Sequence, residues 1–427
     1  MRVMLCSKKN MNTKKRKLEV IFLSILLFAA SMSPESYGEE NLGNNKTTRL
    51  EFEIWGSIPF SQKVTEDVTV QQLLLAIRKE PKSSLQIAEN TSIKLATIEA
   101  LTAKLAQWDL VVKEDVEKGQ WVANIPIYLK SDLRIAEEIG LKYARIEADI
   151  LRSSLPETRR IYESCDIAKR FSWRDMSLIV VGAIIADLAV YDRVRFFPEY
   201  YQESLLPPLH PDGSRWGYTG YEKSKRRYQK KKWAFYQNVM RGTISLARFG
   251  YFKPSEQRQT PPRRFYRDSV YRNIFRELFA HPKTLKEIEK RSGLNSGKLK
   301  EALKELSSSN PAGVTQKNGK YSLNIPIFSS GDIKRIVEHA DKVAEDIHRK
   351  VTIPCERERV EAGRKLGLRF PLAEGQLARD IALGLLVEEG LLCEVPDPPV
   401  PWSFGVWGWQ GKLLLWEDVV KEKNKEQ

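Results

Sequence analysis

Asn124-Ile125-Pro126-Ile127 returns 200 residues later as Asn324-Ile325-Pro326-Ile327. A helical stretch, a turn and a hairpin pattern precede the tetrapeptide in both places, and an Asp-led helix follows it, from Asp132 or Asp332. Further on, Trp216-Gly217-Tyr218-Thr219-Gly220 is echoed by Trp407-Gly408-Trp409-Gln410-Gly411, with Trp55-Gly56 as a partial third. Self-similarity at a fixed interval points to two copies of one supersecondary unit.

The local patterns agree between the copies. In the first, Val68 to Lys79 has helical periodicity and ends before Pro81. Ser83 or Ser84 suits the N-cap of a short helix through Leu85, Ile87 and Ala88. A turn at Thr91-Ser92 leads to a helix with Ile98, Leu101 and Leu105 on one face. Strands follow over Leu110–Val112 and Gln120–Ile127, turned by Lys118-Gly119. In the second, a helix spans Ser269 to Phe279, a short helix surrounds Ile288, and a turn at Ser292-Gly293 precedes a helix with Leu299, Leu303 and Leu306. Its hairpin turns at Asn318-Gly319, a pair that tolerates positive φ. Ile87, Ile98 and Leu105 are expected to match Ile288, Leu299 and Leu306 in the two cores.

Helix, helix-turn-helix and a two-stranded wing resemble the winged helix-turn-helix fold of bacterial transcriptional regulators. The resemblance covers about 65 residues in each copy and rests on Leu85, Ile87, Ala88, Ile98, Leu105, Leu110 and Val111, then on Ile288, Gly293, Leu294, Leu299 and Leu306. The first copy departs from it, with Ser92-Ile93 where the second has Gly293-Leu294. The resemblance implies that the third helix enters a DNA major groove and that the wing touches phosphate. The contacting residues would be Lys94, Thr97 and Lys104 in the first copy. In the second they would be Asn295, Ser296, Lys298 and Lys300, with Lys317 and Lys320 on the wing. The first wing carries Glu114, Asp115 and Glu117 against Lys113 and Lys118, and a net-acidic wing is repelled by phosphate.

The expected fold class is therefore α+β and mostly helical, with two internal repeats. Each is a winged helix-turn-helix module followed by a helical extension and a Trp-Gly ribbon. The partition is a signal peptide or anchor over 1–38, an extension over 39–65, module 1 over 66–130 and its helical extension over 131–212. A ribbon and basic aromatic linker occupy 213–266, module 2 occupies 267–330, its extension 331–400, and a second ribbon with a charged tail 401–427. The extensions carry apolar stripes, Ala136, Ile139, Tyr143, Ile146 and Ile150 in one and Ile333, Ile336, Val337, Ala340, Ala344 and Ile347 in the other. Docking of each stripe on its own module, with the two copies forming an internal pseudo-dimer, is the expectation.

The formal charge of +15 is concentrated. Residues 213–267 hold fifteen Lys/Arg against Glu222 and Glu256, and residues 1–38 contribute +5, so the rest is slightly acidic. Within this region Lys223, Lys225, Arg226, Arg227, Lys230, Lys231 and Lys232 alternate with Tyr228 and run into Trp233 and Tyr236. Lysine and arginine neutralise phosphate, sulfate or anionic headgroups while aromatics stack or insert. The spacing of Tyr221, Tyr228 and Phe235 would make an aromatic stripe on a helix. The expected partner is an anionic polymer, an anionic membrane surface or a protein, with nucleic acid as the alternative. A charge run as a solvated face is the plainer reading.

Lys14-Lys15-Arg16-Lys17 precedes an apolar run from Val20 to Ala30, then Ser36-Tyr37-Gly38 before Glu39. This is the pattern of a secretory leader, so the chain is expected to be exported to a periplasmic or extracellular space, or anchored by its N-terminus. Two later apolar runs, Leu178 to Val190 and Ile381 to Leu392, carry Asp187 and Glu388-Glu389 and are expected to be core helices. Cys6, Cys165, Cys355 and Cys393 show no metal spacing. Cys355 and Cys393 could pair after export, or stay buried thiols.

No Gly-x-Ser-x-Gly, phosphate-binding glycine loop or metal-ligand cluster is present in the sequence, and His339 and His348 lie off the i, i+4 spacing of paired ligands. The expectation is a non-enzymatic protein without metal or cofactor. It would be an exported or membrane-tethered tandem winged-helix scaffold that contacts an anionic partner through the basic aromatic segment. A DNA-binding winged-helix regulator is the alternative.

Overall fold

The computed structural model describes residues 48–55, 63–115, 117–190, 217–223, 234–240, 244–252, 268–308, 313–372, 377–393 and 407–410. The fold is α+β and mostly helical, as expected. The leader at 1–38 lies outside the described residues.

After β1 (Leu50–Trp55) and a single turn of helix α1 (Lys63–Glu66), the first block comprises α2 (Val68–Ala76), β2 (Lys82–Ser83), α3 (Ser84–Thr91), α4 (Leu95–Ala106), β3 (Val111–Asp115), β4 (Gln120–Ala123) and β5 (Ile127–Tyr128). The second block has the same order: α7 (Ser269–Leu278), β9 (Lys283–Thr284), α8 (Leu285–Ser292), α9 (Ser296–Ser308), β10 (Val314–Lys317), β11 (Lys320–Leu323) and β12 (Ile327–Phe328). Between them lie α5 (Lys130–Glu163), α6 (Trp173–Leu178) with its π-helical continuation Ile179–Ala189, β6 (Gly217–Glu222), β7 (Ala234–Met240) and β8 (Ile244–Phe252). After the second block come α10 (Ser330–Ile347), α11 (Ile353–Lys365), α12 (Leu377–Glu388) and β13 (Trp407–Gln410).

The short helices start where the side chains permit it. Ser83 accepts the N–H of Gln86 while Gln86 caps the N–H of Ser83, and Thr284 and Glu287 make the same reciprocal pair. Gly293 closes α8 at φ 65°, in the left-handed region that favours glycine. Ser92 takes the same conformation at φ 57° in the first block, so the turn is kept without its glycine. Ile87, Ile98 and Leu105 lie fully buried in one core, and Ile288, Leu299 and Leu306 in the other.

The second hairpin strand is not continuous from Gln120 to Ile127. It ends at Ala123 because Pro126 has no N–H to donate, and the tetrapeptide leads the chain into another sheet. There β5 pairs in parallel with β6, Ile127 opposite Gly220 and Tyr128 opposite Tyr221. β12 pairs in parallel with β13, Ile327 opposite Gly408 and Phe328 opposite Trp409. The two echoes in the sequence thus meet in each half of the chain. The pairing also corrects their alignment: Gly408 occupies the position of Gly220, three residues beyond Gly217, so Trp407 and Trp409 stand where Thr219 and Tyr221 do. Trp407 and Trp409 are buried with ring centroids 5.0 Å apart.

The chain divides into two compact units, each drawn from three separate stretches of sequence. One holds residues up to Gly140 with Gln202–Gln229 and Cys355–Gly375; the other holds Leu141–Tyr201, Lys230–Pro354 and Gln376–Gln427. One segment of each extension lies outside the unit of its own block, Leu141–Tyr201 with the second block and Cys355–Gly375 with the first, while α10 and its stripe stay with the second block. In the first unit the Tyr128 hydroxyl bonds the carbonyl of Pro371, and Arg369 pairs with Glu114 of the first hairpin at 2.8 Å. In the second, the carboxylate of Asp332 accepts the N–H groups of Asp166 and Ile167 at 3.0 and 3.2 Å, and Thr158 hydrogen-bonds His339 at 2.9 Å. A long helix such as α5 carries its apolar stripe too far from its own block to bury all of it there.

The Ile179–Ala189 turns and α12 are buried, with Arg379 bonded to Asp187 and Asp380. Among the described residues no helix is long and apolar enough to cross a membrane. Cys165, Cys355 and Cys393 are all free thiols, so the considered Cys355–Cys393 bond is not formed.

Candidate nucleic-acid interface

Leu299, Ala302, Leu303 and Leu306 turn one face of α9 into the second core, so the opposite arc is presented to solvent. Lys298 and Lys300 are exposed on either side of buried Leu299. Lys304 lies one turn beyond Lys300 and is exposed beside it. Sequence reading missed Lys304 here, although its i, i+4 spacing to Lys300 was available. Glu301 is the exposed acid on this arc. Asn295 is the start of the helix: its Oδ1 accepts the N–H of Gly297 at 2.9 Å and its carbonyl accepts that of Leu299. Ser296 is the first helical residue and is half-buried.

On the hairpin, Lys317 and Lys320 pair across the tip and are both exposed. Asn318 at φ 51° and Gly319 at φ 72° form the two-residue turn between them. Lys290 and Arg291 in the last turn of α8 are exposed as well. Glu287 is held below the usual carboxylate range by the N–H and hydroxyl of Thr284, so its charge serves the helix cap. Lys283 is buried against Glu277 at 3.1 Å and belongs to the fold.

The first block presents a different surface. Lys94 precedes α4, and Thr97 and Lys104 are exposed. Lys104 lies over the ring of Trp108 at 5.6 Å and Lys113 over Trp121 at 5.1 Å. Lys118 pairs with Asp115 at 3.1 Å, and hydrogen bonds from Lys118 hold that carboxyl below its usual range. Leu85 and Leu95 are exposed at 57% and 39%. Residues 82–123 carry five lysines and six acids, whereas 283–323 carry nine Lys/Arg and four acids. The same order of elements is net −1 in one block and +5 in the other.

The basic aromatic segment is only partly placed. Lys223 follows β6 and gives its N–H to the carbonyl of Arg49 at 2.7 Å. Tyr236 lies in β7, opposite Gly250 of β8. Lys225, Arg226, Arg227, Lys230, Lys231, Lys232 and Trp233 lie outside the described residues. The seven-residue aromatic stripe does not form on one helix, because Tyr221 and Phe235 are both in strands with partners in their sheets.

No protein-family model, curated protein or solved structure matches this chain. Its own geometry therefore carries the functional argument. Among the described residues no group of three or more His, Cys, Asp or Glu could hold a metal ion. Cys165 is buried, and burial pushes its thiol up to about 11, which leaves it protonated at neutral pH and a poor nucleophile.

Proposed function

We propose that this chain is a non-enzymatic binding protein built from two winged helix-turn-helix modules, a duplicated unit forming an internal pseudo-dimer, and that the second module binds duplex nucleic acid. In this reading α9 lies in the major groove and the β10–β11 hairpin reaches the phosphate backbone. The observation that carries the proposal is the +5 charge on the second block, with Lys298, Lys300, Lys304, Lys317 and Lys320 exposed on the helix arc and hairpin. Phosphate contacts dominate affinity for a duplex, so a module with this surface is suited to the task. Fluorescence anisotropy with a labelled 30-bp duplex across a potassium chloride series tests it. Binding should weaken as salt rises, and each of Lys298→Ala, Lys300→Ala and Lys317→Ala should reduce the slope of log affinity against log salt by about 1. Salt-independent binding, or none, would refute the reading.

A second reading is favoured by the charged run Lys14–Lys17 ahead of the apolar stretch Val20–Ala30. Under it the protein is exported or tethered, and Lys223 to Lys232 contact an anionic polymer or membrane surface. Cell fractionation of the tagged full-length protein separates the two, since a promoter-binding protein must share a compartment with DNA. Intact mass starting near Glu39 would favour export.

A further inference from the structure

We infer that the chain recognises a single, asymmetric duplex element and occupies it with one module, although the order of its elements is that of a two-module reader. The inference rests on duplex binding by the second block, and it specifies the form of the site. Two identical modules ordinarily read two related half-sites, and the symmetry of the protein is mirrored in the DNA. Here the modules are covalently joined and have diverged at the surface that would read.

Three observations remove the first block from the backbone. Its elements are net −1, so bringing them to phosphate is electrostatically unfavourable. Three of its five lysines are engaged locally: Lys104 over Trp108, Lys113 over Trp121 and Lys118 with Asp115. The base of its helix arc is apolar, with Leu95 exposed where the second block has a polar Ser296. A solvated DNA backbone gains nothing from such a side chain.

The expected salt slope follows from one module. Four or five exposed lysines give a slope of roughly −4, whereas two equivalent modules would give about −8. The test uses the full chain and a pool of 40-bp duplexes with randomised centres, from which bound sequences are selected and aligned. An enriched element without dyad symmetry, bound one protein to one duplex, is expected. An inverted repeat with half-sites about one helical turn apart would overturn the inference. Charge removal gives an independent readout. The triple variant Lys94→Ala, Lys104→Ala, Lys118→Ala should bind within about twofold of the parent at an unchanged slope. The triple Lys298→Ala, Lys300→Ala, Lys317→Ala should lose about 2.7 from the slope. Equal losses in both triples would sink the one-module inference and leave duplex binding standing. A parent that binds no duplex at all would overturn both.

Discussion

Gly220 donates its backbone N–H to the carbonyl oxygen of Pro126 at 2.9 Å, and Gly408 does the same to Pro326 at 3.0 Å. Proline supplies an acceptor and no donor, so Asn-Ile-Pro-Ile ends the hairpin strand and offers a carbonyl to the ribbon. Gly220 leaves room for a neighbour there: a Cβ on it would come within 3.0 Å of the Phe52 ring. The motif and the ribbon are two sides of one joint, made once in each half of the chain.

Gly363 is the one glycine of α11, and backbone approaches it closely. A Cβ there would lie 2.6 Å from the carbonyl oxygen of Phe370, a backbone atom that cannot rotate away. Gly363→Ala should destabilise the protein by about 1–3 kcal/mol in urea unfolding. Gly331→Ala, where the nearest atom is 3.9 Å away, should be neutral or slightly stabilising. Equal midpoints for the two variants would show that the close approach is relieved cheaply.

Leu105 and Leu306 end the third helix of their blocks and are both fully buried. Either Leu→Ala change should cost roughly 2–5 kcal/mol, with the spread set by how far each core collapses around the cavity. Thermal unfolding followed by circular dichroism measures it. A loss below about 1 kcal/mol at either site would argue against a packed core there.

Asp332 joins α10 to the segment just past the end of α5. Its buried carboxylate accepts two backbone N–H groups, from Asp166 and Ile167, and pairs with Arg335 at 2.7 Å. Asp332→Ala leaves both donors unpaired and should cost about 3 kcal/mol. Hydrogen exchange at residues 166–170 should rise with it, and unchanged protection would exclude the carboxylate as the anchor.

His339 gives the pH dependence a sign. Burial lowers its pKa below the usual 6.5, and its ring bonds Thr158 in the neutral fold. The unfolded chain therefore takes up this proton first, so the stability contribution is full above about pH 6.5 and falls as pH drops toward the folded value. His339→Gln keeps a hydrogen-bonding group without the titration. Its melting temperature should fall less than the parent's between pH 7 and pH 5, and parallel curves would contradict the assignment.

The sequence alone determined the local order. The matching positions of Ile87 and Ile288, Ile98 and Leu299, and Leu105 and Leu306 were legible because helical periodicity and short-range capping act over a few residues. The exposure of Lys298, Lys300, Lys317 and Lys320 followed from the same periods, since a residue's face is fixed once its element is. Tertiary structure decided the rest. The three-residue offset between the ribbons is a matter of register, and register is set by which strand lies alongside, as Ile127 opposite Gly220 does here. The strand conformation of Tyr221 and Phe235 overrode a helical spacing because their sheets supply hydrogen-bond partners that local sequence does not announce. The exchange of Leu141–Tyr201 and Cys355–Gly375 between units was equally hidden. An apolar stripe shows that a helix must bury a face; it carries no information about which of two similar cores will receive it.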